Sequence, residues 1–370
     1  MMTGKMKCGV FYGVKDVRLE EQDIPQITED DVLVKVLRAG ICGSDTGAFL
    51  HGGLRYGVFD GFAFGHEMVG RIVEKGANVA DDLKVGDLVF VDPTKAKRAG
   101  MFVTDMCGAF CEYVNVENAK RDYNLYVLKE DIDLDVAAII EPLCVGTRGA
   151  LSMNPGPDDN VVVLGAGTIG LCAAAGLINH GIKNVIVMDR NDWKLEKAAA
   201  LGAKTINTAK EDACEKLIEY CGEFKKTVMN MQYVSKELLA AMAAMAGDAK
   251  NRVAARTPNV ALYVDCAGAK EMLMNSFGMC AEGTKYSIVS VYSEPLPISG
   301  SMFMGEPVIR GSAGYTQETI KEVIDHLENN RTPIKNIVTA KFSIDDFPKA
   351  MEAAAYKENH NIKVVIDYEL

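Results

Sequence analysis

The chain lacks most of the features that assign a function at sight. It has no run of lysine and arginine, and its 370 residues carry a net charge of −11. A surface of that sign repels a phosphate backbone, so nucleic acid is not an expected partner. The opening stretch, MMTGKMKCGVFYGV, has no continuous apolar segment of the kind a secretory signal needs, so a cytoplasmic location is expected. Neither an internal repeat nor a low-complexity linker occurs. Histidine is scarce at five residues, so any histidine in a polar motif merits inspection. The ten cysteines are scattered, as reduced thiols are, and most suit small buried apolar positions. The stretch VVVLGAGTIGLCAAAGLI (161–178) is charge-free, yet its glycines at 165, 167 and 170 divide it into strand, turn and helix. A membrane span is therefore not expected.

What is present divides the chain in two, as its length allows. Residues 1–150 read as short β segments separated by glycine turns: VLVKVLRAG, MVGRIVEKG, GDLVFV, FCEYVNV. That spacing suggests an antiparallel, barrel-like unit. From residue 160 the pattern becomes strand, helix, strand, through NVVVLGAG, TIGLCAAAGLINHG, NVIVMDR and DWKLEKAAALGA. Apolar strands alternating with helices imply a doubly wound parallel sheet, here over 151–312, an α/β arrangement. VALYVDCAG and KYSIVSVY read as later strands of that sheet, with an edge near KYSIVSVY free to pair across a two-fold axis. TIKEVIDHLENN reads as a helix and NIKVVIDYEL as a closing strand, within a section (313–370) that returns to the first domain. SKELLAAMAAMAGDAK, inside a 222–258 insertion, favours a helix capped at Gly247.

VVVLGAGTIG carries G-x-G-x-x-G at Gly165, Gly167 and Gly170, between a strand and a helix. Asp189 ends the next strand nineteen residues after Gly170, which completes a dinucleotide-binding fingerprint in its required context. Gly165 serves the tight turn, Gly167 the approach of backbone to a pyrophosphate, and Gly170 the close helix–strand packing. The pyrophosphate would sit on the N-terminus of the helix starting near Thr168 and Ile169. Asp189 suits a ribose 2′-hydroxyl and favours NAD, while Arg190 leaves NADP open. Ala267 and Val291 are further candidate cofactor contacts.

GFAFGHEMVG (61–70) sets His66 beside Glu67 at a strand entrance. Neighbours on a strand face opposite ways, so with His66 facing inward from the turn at Gly65, Glu67 would reach a shared metal by using that turn, through water, or by taking turns with another carboxylate, Glu141. GICGSD supplies Cys42, and AAIIEPLCVG supplies Glu141 just before Pro142. One thiol, one imidazole and two carboxylates form a ligand set suited to Zn²⁺, with a coordination position left open for chemistry. Taken singly, each residue has an ordinary reading: Cys42 as a core thiol, Glu141 at a helix start.

The series GICGSD, GHEMVGRIVEKG, KVGDLVFV, FCEYV, EPLCVG, VVVLGAGTIGL and VDCAG resembles, in that order, the zinc-dependent medium-chain dehydrogenases, and within them the sorbitol, threonine and glucose dehydrogenase branch. The resemblance spans nearly the whole chain apart from the insertion. It implies a GroES-like catalytic domain (1–150 and 313–370) beside a Rossmann domain (151–312). It also implies a catalytic zinc on Cys42, His66 and either Glu67 or Glu141, with Ser44 starting a proton path. Three departures stand out. DPTKAKRAGMFVTDMCGAF has one cysteine, Cys107, where many relatives carry four for a structural zinc, so one zinc per chain is expected. Gly47 stands where a relay histidine is common, and His51 is the candidate replacement. GAFLHGGLRYGVFDGFAF gathers Phe49, Tyr56, Phe59, Phe62 and Phe64, which either fill the core or line an apolar cleft.

The expectation is reversible NAD(H)-linked oxidation of a secondary alcohol, polyol- or sugar-like or an amino-alcohol, by a homodimer or homotetramer. A bulky apolar alcohol is the alternative raised by the aromatic segment. A zinc-free NAD(P)H reductase and a non-catalytic NAD(H) sensor are the alternatives in mechanism.

Overall fold

The computed structural model describes residues 2–96, 108–224, 256–292, 294–297, 305–329, 333–356 and 360–370. The helix expected around Gly247 and the stretch containing Cys107 lie outside them. The chain forms two compact units: residues 1–148, 171–179 and 314–370, and residues 149–170 and 180–313.

The first unit begins with the strands β1 (Lys5–Gly13), β2 (Asp16–Asp23), β3 (Val32–Gly40), β4 (Phe62–Ala63), β5 (Glu67–Lys75), β6 (Leu88–Val91), β7 (Tyr113–Val116) and β8 (Leu125–Val127). Eight of nine residues of β3 are buried, which fits a strand covered on both faces; only Lys35 is exposed. The second unit holds β9 (Asn160–Leu164), β10 (Asn184–Asp189), β11 (Lys204–Asn207), β12 (Leu262–Asp265), β13 (Lys285–Ile288) and β14 (Val308–Gly311). The chain then returns to the first unit with β15 (Val338–Ser343) and β16 (Lys363–Asp367).

In the first unit β2-β1-β4 form one sheet, and β15-β16-β3-β5-β6-β8 form the main path of another, with β7 also paired to β3. The register of the larger sheet brings three chain segments together. Gly40, the last residue of β3, pairs with Glu67, the first of β5, and on its other side with Val365 of β16. Gly40 is a glycine of close approach: a Cβ there would overlap the Glu67 carboxylate. Gly65 has φ +91°, the left-handed conformation that glycine adopts without strain, and turns the chain just before His66.

The second unit's sheet is parallel throughout, in the order β11-β10-β9-β12-β13-β14. Its central strands read as continuous apolar runs because both faces are covered. One expectation needs correction. KYSIVSVY is a strand only to Ile288, and the sheet ends one strand further on, at β14, so the edge that could pair belongs to Val308–Gly311. The helix expected from TIKEVIDHLENN runs from Gln317 to Glu328.

Among the described residues, no helix is long and apolar enough to cross a membrane. The aromatic segment divides. Phe49 and Phe64 are buried in the core of the first unit, where Phe64 meets Phe110 edge-on at 5.0 Å, and Tyr56 packs against that core. Phe59 and Phe62 form an edge-to-face pair at 6.5 Å and are 45% and 54% exposed. The five rings therefore do not line one apolar cleft.

Candidate functional site

Cys42 follows β3 by two residues and is the N-cap of the helix Gly43–His51. Asp45 closes the first turn of that helix: its Oδ2 accepts the Cys42 backbone N–H at 2.8 Å, and the side chain is wholly buried. This places the Cys42 thiol beside the start of β5. Sγ of Cys42, a ring nitrogen of His66 and a carboxylate oxygen of Glu67 all lie within 4.8 Å of one another. His66 and Glu67 converge although adjacent, because His66 precedes the strand and leaves the Gly65 turn, whereas Glu67 is already its first residue.

The charges around this triad are arranged by burial. Glu67 Oε2 pairs with the Lys363 ammonium at 2.6 Å, and Lys363 also donates to the Ile41 carbonyl at 3.0 Å. Burial alone would lower the Lys363 pKa, but the charges of Glu67 and Cys42 and the hydrogen bond to Glu67 outweigh it and hold it up. Burial pushes Asp45 up to about 6 against the pull of His66. It raises Glu141 to about 7, with His66 pulling down and Glu67 pushing up. His66, its side chain 15% exposed, has Nδ1 3.7 Å from Asp45 Oδ1. Burial opposes its protonation, yet Asp45, Cys42 and Glu141 together raise it well above an ordinary imidazole.

The residues fit a divalent cation. Glu67 Oε1 is buried without a hydrogen-bond partner, an expensive state for a carboxylate oxygen unless a cation completes it. The sulfur, nitrogen and oxygen donors match zinc's preferences, and three protein ligands leave a position open. Glu141, buried in the first turn of the helix Ile140–Leu151, is outside the triad but feels the charges of His66 and Glu67.

Ser44 is half-buried in the first turn after Cys42. His51 is exposed at the far end of the same helix. Nine residues at 1.5 Å rise put it about 13 Å from Cys42 along the axis, so the structure does not bring it to the cluster. Sequence reasoning missed three residues: Asp45, Lys363 and Cys172, the last a buried thiol that feels Lys363, Glu67 and Glu141. The three-residue spacing of Cys42 and Asp45 at a helix start was a readable capping signal. Lys363 gave none, because it reaches the site only through the pairing of β16 with β3.

In the second unit, Gly165 has φ +97°, and a Cβ there would meet Ala267 at 2.9 Å. A Cβ on Gly170 would overlap the Gly165 carbonyl, whereas Gly167 faces open space. The helix Thr168–Asn179 starts immediately after this loop, with Thr168 and Ile169 half-buried. Asp189 holds the loop from the next strand: Oδ2 accepts Ala166 N–H at 2.9 Å, and Oδ1 accepts from Asn191 N and Nδ2 at 2.9 and 3.0 Å. Arg190, Ala267 and Val291 are exposed.

Residues 28–123 match the family described as alcohol dehydrogenase GroES-like domain, and residues 168–329 match the one described as zinc-binding dehydrogenase. Sorbitol dehydrogenase of Bacillus subtilis (strain 168) is 28% identical over an alignment covering 98% of this chain and 97% of its own. L-threonine 3-dehydrogenase of Streptomyces avermitilis is 37% identical over 48% of this chain and 55% of its own. Among solved structures, 2R,3R-butanediol dehydrogenase from Bacillus subtilis superposes with a TM-score of 0.78 at 22% identity, covering 98% and 99% of the two chains. That last likeness speaks to fold.

Proposed function

Because the chain belongs to the zinc-dependent medium-chain dehydrogenases, we propose that it interconverts a secondary alcohol and its ketone with NAD(H). What carries this reading is the Cys42–His66–Glu67 triad, half-buried at Cys42 and His66 and buried at Glu67, with an unpartnered Glu67 oxygen. Cys42, His66 and Glu67 would hold the zinc, with Glu141 as a second carboxylate within its field. When bound, zinc supplies Lewis-acid polarisation of the alcohol oxygen and lowers the pKa of the hydroxyl. The Cys42 and Glu67 charges offset that of the metal.

The chain's own groups do the rest. Asp45 orients the His66 ring and, through the Cys42 N–H, the backbone that carries the thiol. Lys363 holds one Glu67 oxygen, leaving the other directed to the triad. Ser44 is the proposed first carrier of the proton that leaves the alcohol. Gly165–Gly170 and Asp189 bind the dinucleotide.

The names of the relatives support a polyol, sugar or amino-alcohol substrate, and the dispersal of the aromatic rings removes the reason for preferring a bulky apolar one. One catalytic zinc per chain and a homo-oligomer paired through β14, all of whose residues are exposed, belong to the same reading. The test is a panel of polyols, sugars and amino-alcohols with NAD or NADP, followed by absorbance of the reduced nicotinamide. Turnover with NAD at least about tenfold more efficient than with NADP is expected, since that is the worth of roughly one hydrogen bond to the ribose. Absence of turnover across the panel, with NADH still bound, would replace the enzyme by a cofactor-binding sensor.

A further inference from the structure

Asp265 ends β12 as a carboxylate only 1% exposed, and among the described residues its hydrogen-bond partners are all uncharged donors. Its Oδ1 accepts Ala267 N–H at 3.2 Å. Its Oδ2 accepts two hydroxyls, those of Ser290 and of Tyr292, the latter at 2.7 Å. Its backbone carbonyl also accepts the N–H groups of Val289 and Ser290, both at 3.0 Å. A buried carboxylate is costly unless its oxygens are hydrogen-bonded, and these donors satisfy both of them. They explain why β13 stops at Ile288: the chain beyond it is drawn back toward the end of β12. Between the two tethered residues, Val291 is left 78% exposed, an apolar side chain turned to solvent by a buried anchor.

The position of this anchor in the sheet gives it a purpose. Strand order turns at β9, with β10 on one side and β12 on the other, and ligands of such sheets lie outside the carboxyl ends of the strands at that point. On the dinucleotide reading given above, Asp189 at the end of β10 takes the adenosine side and the Gly165–Gly170 loop the pyrophosphate. The remaining half of the molecule must extend over the carboxyl ends of β12 and β13, where Ala267 already approaches Gly165.

We propose that Asp265 is a positioning residue: by tethering Ser290 and Tyr292 it fixes the 290–292 loop and presents Val291 to the nicotinamide half of the cofactor. The rise that burial and Asp265 impose on the Tyr292 phenol keeps that hydroxyl a donor.

The test uses the full chain carrying Ser290→Ala and Tyr292→Phe, titrated with NADH and, separately, with ADP-ribose, which lacks the nicotinamide. Loss of two tethers is expected to weaken NADH about tenfold and leave ADP-ribose within about twofold. Unchanged ADP-ribose affinity also shows that the second unit is folded. Equal weakening of both ligands would reduce Asp265 to general architecture, and no change in either would show the tethers to be idle. A parent protein that binds NADH but not ADP-ribose would overturn the placement of the adenosine half, and the assignment of the loop with it.

Discussion

Replacing Cys42 with Ser is expected to lower turnover by more than about a hundredfold while leaving NADH affinity within about twofold. Groups that only support metal ligands cost 10–100-fold when lost, so a ligand should cost more than the upper end of about a hundredfold. The substitution isolates the chemistry because serine is a favoured N-cap, so the helix Gly43–His51 loses no capping capacity. Asp45 can still accept the N–H of residue 42, which keeps the His66 side of the site in place. The cofactor loop lies in the other unit and shares no residue with this change. Steady-state rates on a responsive alcohol and an NADH titration check the prediction together. A fully active Cys42→Ser protein would remove Cys42 from the triad, and a parallel loss of NADH binding would mean that the effect is structural.

The second large effect concerns stability. Lys363→Met removes the ammonium that pairs with Glu67 and leaves a carboxylate buried without a counter-charge. Breaking a buried pair on one side costs about 3–5 kcal/mol, whereas removing both charges together is close to neutral. Chelator-treated Lys363→Met protein is therefore expected to unfold well below the parent in a calorimetric scan, in the transition of the unit that contains β3, β5 and β16. Adding Glu67→Gln should restore most of the loss. Two units need not melt together, so the transition of that unit is the quantity to read. A Lys363→Met protein within about 1 kcal/mol of the parent would show that the pair is not the buried contact described here. So would a double variant no better than the single one.

Much of this architecture is legible in the chain, for reasons that differ by element. The strands β9, β10 and β12 announce themselves because both faces of a parallel sheet are covered, which forces unbroken apolar runs. The turn at Gly165 and the packing at Gly170 are legible because only glycine fits there. His66 and Glu67 were conspicuous as adjacent polar residues at a strand start, and Gly65 supplied the means for both to converge.

Part of what escaped depends on pairing between distant segments. Lys363 is 296 residues from Glu67 and meets it through the strand register alone. Asp265 and Tyr292 are bound across two strands, so KYSIVSVY reads as longer strand than it forms. The aromatic segment was ambiguous because rings suit a core and a cleft equally well; burial separates Phe49 and Phe64 from Phe59 and Phe62. His51 lies near Cys42 in sequence, but helical rise carries it to the far end of the helix Gly43–His51.

Metal content per chain, measured by mass spectrometry on purified protein before and after chelation and alongside activity, tests the central claim most directly. The account predicts one zinc per chain, lost together with turnover and restored with it on adding zinc back. Protein that contains no zinc yet still oxidises NADH would contradict it, leaving Cys42, His66 and Glu67 as architecture within a metal-free reductase.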